Sequence, residues 1–187
     1  YELSEEITKS LDDKILRRSK HEPLAYIRGK SDFYGHEFIV NRHTLEPRPE
    51  TETMIDLLKN LPSDFQSIVD VGSGSGAIAI TLKLLFLNMK VYAIDIDNKC
   101  IQTAKRNANA HNVNINFLQG NLIEPLIDRP NDLGDWVILS NLPYVPNDHK
   151  INKAAMFEPK HAIFGGKDGL DFYREMFRQI EYLDNKP

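Results

Sequence analysis

The stretch Ile68-Val69-Asp70-Val71-Gly72-Ser73-Gly74-Ser75-Gly76-Ala77-Ile78-Ala79-Ile80 reads as a short apolar strand that runs through a glycine-rich turn into an apolar helix. Glycines at 72, 74 and 76 let the chain reverse sharply and bring peptide groups against a ligand with no Cβ in the way. The pattern predicts a strand over residues 68–71 and a helix over 75–87. A second strand over 90–94 completes a βαβ unit. A helix over 98–111 and strands over 114–119 and 136–140 continue the alternation, which predicts an α/β fold with a doubly wound, mostly parallel sheet. A helix is expected over 170–183 with no strand after it, so the sheet is expected to lack its last strands.

Upstream, Ile7, Leu11, Ile15 and Leu16 stand at helical spacing behind Ser4, giving an amphipathic helix over 4–20 with Ser4 as its cap. Residues 25–28 and 37–40 flank Gly29-Lys30 and Tyr34-Gly35, a pattern that predicts a small hairpin. Residues 45–52 contain Pro47 and Pro49 and are expected to be an extended connector. Glu50 or Thr51 then opens a helix through about residue 61.

A chain of 187 residues with 41% hydrophobic content fits one packed domain with room for a small appendage. Its net charge of −4 does not describe a surface built for nucleic-acid phosphates, and Lys14, Arg17, Arg18 and Lys20 read as the wet face of the first helix. A single cysteine, Cys100, excludes an internal disulfide and a multi-cysteine metal site, so no metal is expected. Residues 77–87 are interrupted by Thr81 and Lys83 and fall short of the roughly 20 residues that span a bilayer. They read as a core helix, and no membrane partner is expected. No signal peptide is visible at Tyr1.

Gly72-x-Gly74-x-x-Ala77 satisfies a dinucleotide fingerprint, and Asp95, ending the second strand, is placed to accept hydrogen bonds from ribose hydroxyls. On this motif alone NAD and S-adenosylmethionine both remain open. The second carries an amino acid and a sulfonium but no pyrophosphate, so it suits a turn flanked by acids such as Asp70 and Asp95. Asp97 reads as the cap of the following helix.

Asn141-Leu142-Pro143-Tyr144 follows the strand over 136–140, at the end of the sheet where open α/β folds bind ligands. The Asn141 side chain can accept a hydrogen bond from a substrate NH₂ group. Backbone carbonyls at Leu142 or Pro143 can accept the second N–H, and Tyr144 can cover the plane. An amide or aromatic amine is a poor nucleophile, so this motif replaces a strong base with positioning. The alternative is an ordinary polar turn after a strand.

These segments together resemble the HemK/PrmC-type protein-glutamine methyltransferases, which act on the Gly-Gly-Gln glutamine of class I peptide-chain release factors. The resemblance takes in Glu22-Pro23-Leu24-Ala25-Tyr26-Ile27-Arg28-Gly29, Phe33-Tyr34-Gly35, Pro47-Arg48-Pro49-Glu50-Thr51-Glu52, the glycine turn, the Asn141 motif, Glu158-Pro159 and Gly165-Gly166-Lys167-Asp168-Gly169-Leu170-Asp171-Phe172-Tyr173. It implies a class I S-adenosylmethionine-dependent fold, Rossmann-like, preceded by a helix and a small hairpin. Residues 1–45 would be the end of a helical domain plus a hairpin linker, and 46–187 a methyltransferase domain that is incomplete at its C-terminal end.

For the site, the resemblance implies that Gly72, Ser73, Gly74, Ser75, Gly76, Asp95, Leu122 and Asn141 hold S-adenosylmethionine. Asn141, Leu142, Pro143 and Tyr144 would form the glutamine pocket, with Asn141, Pro143 and Tyr144 the catalytic set. Arg48 would wall the methionine end. The partner is expected to be a release factor, with no direct nucleic-acid binding, in the bacterial cytoplasm or the mitochondrial matrix. Three residues depart from the family pattern. Leu142 replaces a proline and gives up its fixed φ, Glu46 replaces an apolar residue, and Leu122 lacks the stacking surface of the tryptophan common there. The rival readings are an adenine N-methyltransferase on DNA or RNA, an NAD-dependent oxidoreductase, and a catalytically silent scaffold of the same fold.

Overall fold

A computed structural model describes residues 3–61, 65–127 and 133–187. The first helix, α1 (Glu5–Ser19), starts where expected. The Ser4 side chain accepts from the Ile7 N–H at 3.4 Å. Acids fill the first turn, and Arg17 and Arg18 fill the last, an arrangement that suits the helix dipole. Its stripe of Ile7, Leu11 and Ile15 is exposed.

Residues 25–28 do not form the first arm of the hairpin. They belong to a short helix, α2 (Leu24–Arg28), which Gly29 ends at φ 73° in the left-handed conformation that glycine adopts at no steric cost. The hairpin's first arm lies one segment later, and its second falls where expected, within one residue. Strand β1 (Lys30–Phe33) pairs antiparallel with β2 (His36–Ile39), and the two turn residues, Tyr34 and Gly35, have φ of 49° and 75°. Two positive φ values in succession give a turn whose twist matches that of the strands. Phe33 and Phe38 are fully buried and pack edge to face at 6.2 Å.

The proline-containing connector leads into a 3₁₀ turn (Pro49–Thr51) and α3 (Glu52–Lys59). Then come β3 (Ser67–Val71), α4 (Ala77–Leu85), β4 (Lys90–Asp95), α5 (Asn98–Ala110), β5 (Asn116–Gln119), a short α6 (Glu124–Ile127), β6 (Trp136–Ser140) and α7 (Asp171–Glu181). Helix α4 begins two residues later than expected, because Gly76 holds φ 80° and cannot be its first turn.

The four strands of the main sheet are all parallel, in the order β5-β4-β3-β6. Every residue of β3 is buried, as befits a central parallel strand covered on both faces. Side chains alternate between two cores. Ile68, Val91, Ala93 and Leu139 face α3, α4 and the hairpin. Val69, Val71, Tyr92 and Ile94 face Leu126, Met176 and Leu183. The carboxyl ends of β3, β4 and β6 therefore lie together at one edge of the sheet.

Asn107 on α5, almost fully buried, locks the hairpin to this edge. Its Oδ1 accepts from the Ile39 N–H at 2.8 Å, and its Nδ2 donates to Ile39 O at 3.0 Å and to Ser75 O at 2.8 Å. One amide thus joins α5, β2 and the glycine turn. Asn107→Leu keeps the size and strands these backbone groups, so we expect a loss of about 2–4 kcal/mol in urea unfolding. A loss below about 0.5 kcal/mol, the level of an ordinary surface substitution, would show that the clamp does not hold the fold.

Candidate active site

In the turn after β3, the N–H groups of Gly72, Ser73, Gly74 and Gly76 are bonded within the protein. Gly72 and Ser73 both donate to Ile94 O at 2.9 Å, Gly74 donates to Asp95 Oδ2 at 2.8 Å, and Gly76 donates to Ser73 O at 2.7 Å. The other Asp95 oxygen accepts from the Asp97 N–H at 2.9 Å, and Asp97 caps α5 through its bond from the Lys99 N–H. A dinucleotide pyrophosphate needs free N–H groups at this position. Here those of Gly72, Ser73, Gly74 and Gly76 are engaged within the protein, and the acids Asp70 and Asp95 flank the turn.

The glycines do different jobs. Gly74 holds φ 54° with open space where a Cβ would lie, and Gly72 approaches the Leu142 side chain so closely that a Cβ would sit 3.1 Å from Cδ2. Gly76 is buried below the turn, where a Cβ would meet that of Ala104 at 2.9 Å. It packs against Ala104 of the helix over 98–110 and does not line the cavities around the turn. Asp70 is also fully buried behind the turn. One oxygen accepts from the Ala79 N–H at 3.1 Å and the other has no protein partner.

Over this turn lies a cavity of about 220 Å³ lined by Gly72, Gly74, Asp95, Leu122, Asn141, Leu142 and Pro143, together with His43, Cys100, His161 and Phe172. Its walls are largely apolar, with the Asp95 carboxylate at one side. Burial raises the Asp95 carboxyl above its ordinary value, while the Asp97 and Gly74 N–H groups oppose the shift. A small recess between the turn and the connector is lined by Ser73, Ser75, Arg48, Thr51 and Asn141. Leu122 takes φ 54°, an uncommon conformation for a bulky side chain and a mark of local strain. Its neighbour Ile123 is held by the Gln179 side chain through a 3.0 Å bond.

A second cavity, of about 410 Å³, opens on the other side of Asn141 and is lined by Arg48, Tyr144, Val145, His149, Ala155 and Glu158 among others. Asn141, Leu45 and Ala162 border both spaces. Asn141 therefore stands at the junction. Its Nδ2 donates to Thr51 Oγ1 at 3.0 Å, which leaves its carbonyl oxygen as the acceptor. Leu142 is buried and Pro143 borders the inner cavity, whereas Tyr144 is 62% exposed on the outer one. The Leu142 carbonyl accepts from the Tyr173 hydroxyl at 3.4 Å.

The Arg48 guanidinium reaches both carboxylate oxygens of Glu158, at 2.5 and 2.7 Å, and so joins the connector to the far wall of the outer cavity. Glu158 is buried, which raises its carboxyl, and Arg48 works against that shift. Sequence reasoning puts Arg48 at a wall and misses its partner, although Glu158-Pro159 stands among the matching segments. Thr51 reads in sequence as a helix opener, and nothing local marks it as a neighbour of Asn141. Among the described residues no group of three or more His, Cys, Asp or Glu is placed to hold a metal ion, and no helix is long and apolar enough to cross a membrane.

The backbone of the Asn141 motif is held by Gly165 and Gly169. A Cβ on Gly165 would lie 2.2 Å from Pro143 O, and one on Gly169 would lie 2.1 Å from Tyr144 O. Gly165→Ala should cost about 1–3 kcal/mol in thermal or urea unfolding as the motif is pushed aside. An unchanged midpoint would show that the approach is slack. Asp70 supplies a second test. Burial raises its carboxyl from 3.8 to about 7, so between those values the unfolded chain has lost a proton that the folded chain retains. The folded state is progressively destabilised across this window. The stability of Asp70→Asn relative to wild type should therefore climb from about pH 4 to about pH 7 and then level off. A difference independent of pH would contradict a buried, late-titrating Asp70.

Comparison with known proteins agrees with this architecture. The family model for the Methyltransferase small domain matches residues 51–158, which include the connector's end, the glycine turn, Asp95 and the Asn141 motif. The chain is 37% identical over 186 residues to a release factor glutamine methyltransferase of Enterococcus faecalis, covering 97% of this chain and 66% of that protein. A protein of the same name from Bacillus subtilis is 39% identical over 185 residues, covering 90% and 64%. The chain thus spans about 65% of the length of these relatives. Among solved structures, the hMettl16 catalytic domain in complex with MAT2A 3'UTR hairpin 1 superposes with a TM-score of 0.61 at 13% identity, covering 92% of this chain and 74% of that one. Sheet order, glycine turn and family match agree, and the chain belongs to the Methyltransferase small domain family.

Proposed function

We propose that this chain binds S-adenosylmethionine in the inner cavity and methylates the side-chain amide nitrogen of the Gly-Gly-Gln glutamine in a class I peptide-chain release factor, entering from the outer cavity. The observation that carries the reading is the position of Asn141, which borders both spaces with its Nδ2 engaged by Thr51 and, among the described residues, no hydrogen bond to its carbonyl oxygen. The inner cavity fits the cofactor's chemistry. The apolar walls would hold an adenine and the Asp95 carboxylate would accept from ribose hydroxyls, while the engaged N–H groups of Gly72, Ser73 and Gly74 disfavour a pyrophosphate.

The bound cofactor supplies a methyl group on a sulfonium sulfur. The chain's own residues supply position. Asn141 Oδ1 accepts one amide N–H, and a backbone carbonyl of the motif accepts the second. Both bonds draw the nitrogen out of conjugation and aim its lone pair at the inner cavity. Tyr144, on the outer side, covers the amide plane. Transfer would break the bond between the methyl group and the sulfonium sulfur, leaving a neutral thioether, as the N–CH₃ bond forms; the nitrogen's extra proton would leave to solvent, so no strong base is needed.

The names of the relatives support glutamine as the acceptor, and their bacterial sources favour a cytoplasmic setting over the mitochondrial matrix. In this reading residues 46–187 carry the reaction, and residues 1–45 contribute the helix and hairpin ahead of it.

Transfer of labelled methyl from S-adenosylmethionine to an intact release factor, beside a Gln→Ala factor and DNA and RNA controls, tests the proposal. Label is expected on the intact factor alone, and Asn141→Ala should lower kcat/KM by about 100-fold or more. Label on nucleic acid would establish adenine methylation instead. Cofactor binding without transfer to any acceptor would favour a silent scaffold.

A further inference from the structure

We infer that Thr51 is a positioning residue that sets which edge of the Asn141 amide faces the acceptor, an inference that rests on the function proposed above. Thr51 ends the 3₁₀ turn and opens α3, a place where a threonine hydroxyl ordinarily caps a helix. It does not do so here. Thr51 has helical φ and ψ and makes no capping bond with its side chain. Its Oγ1 accepts instead from Asn141 Nδ2 at 3.0 Å, across 90 residues of sequence. Thr51 is buried, and among the described residues the side-chain contact of its hydroxyl oxygen is with Asn141 Nδ2.

The consequence follows from the chemistry of a primary amide. An unconstrained Asn side chain can turn by 180° and present either NH₂ or C=O to the cavity. Only the C=O accepts from a substrate N–H. A hydroxyl can serve either edge; here Thr51 accepts from the NH₂ edge, and the carbonyl edge is the one left for the acceptor. The ion pair between Arg48 and Glu158 pins the connector that carries Thr51. The sequence 47–52 thus anchors with Arg48 and orients with Thr51.

The test uses Thr51→Val, which keeps the shape but removes the oxygen, and Thr51→Ser, which keeps the oxygen. Thr51→Val should lower kcat by about tenfold, with S-adenosylmethionine affinity within about twofold of wild type, and Thr51→Ser should restore kcat. On an Asn141→Ala background the valine substitution should cost nothing further, because its route to the acceptor is already gone. An equal loss on that background, failure of serine to rescue, or a parallel loss of cofactor affinity would overturn the inference. Side-chain amide NMR decides the role of Thr51 without any turnover. One slowly exchanging Asn141 NH₂ pair is expected in wild type and Thr51→Ser, and faster exchange in Thr51→Val. Indistinguishable exchange in all three would sink the inference. If no labelled methyl reaches a release factor from wild type, the proposed function fails while the NMR comparison still discriminates between an oriented and a free Asn141 amide.

Discussion

The N–H groups of Gly72, Ser73 and Gly74 find their acceptors at the end of the neighbouring strand, and much of the site depends on that arrangement. Ile94 O receives two of them and Asp95 the third. The ends of β3 and β4 are thereby tied together at the edge where ligands bind in parallel α/β sheets. The same bonds occupy three donors that a phosphate could otherwise meet. A turn that looks like a dinucleotide loop in sequence is therefore, in its hydrogen bonding, a loop bordered by carboxylates.

From this tie the structure extends outward through long-range polar contacts. Asn107 joins the turn to the hairpin. Arg48 and Glu158 join the connector to the loop beyond β6, and Gly165 and Gly169 let that loop lie against the Asn141 motif. Each contact crosses between elements distant in the chain. Their combined effect is to hold Asn141 between two cavities, with one edge of its amide engaged and the other open.

The sheet is legible in the sequence because its signals are local. Apolar strands bounded by turns, and glycines at 72, 74 and 76, lead directly to β3, β4 and β6, the last over the residues expected. The first arm of the hairpin is read one segment too early, while its second arm is placed within one residue. Ala25-Tyr26-Ile27-Arg28 has strand-like composition, while Lys30-Ser31-Asp32-Phe33 does not, and pairing of that second stretch is decided by the Tyr34-Gly35 turn and by burial of Phe33 and Phe38. Gly29 is the available clue, since a glycine directly after a short run can end a helix. At the site, Gly72, Gly74, Asp95, Leu122 and Asn141 all line the inner cavity. Gly76 and Asp70 lie behind the wall, which sequence cannot distinguish because burial depth is a tertiary property. Thr51, Asn107 and the Arg48–Glu158 pair act across 68 to 110 residues, beyond any periodicity or spacing argument.

The central claim is that a methyl donor and a glutamine amide meet at Asn141 from opposite sides. A crystal structure of the protein with S-adenosylhomocysteine and a peptide containing Gly-Gly-Gln tests it most directly. The cofactor product is expected over the glycine turn, the glutamine side chain in the outer cavity, and Asn141 Oδ1 within hydrogen-bond distance of the amide nitrogen, with Nδ2 still on Thr51. A glutamine bound away from Asn141, or an Asn141 amide turned to present its NH₂ group to the acceptor, would contradict it.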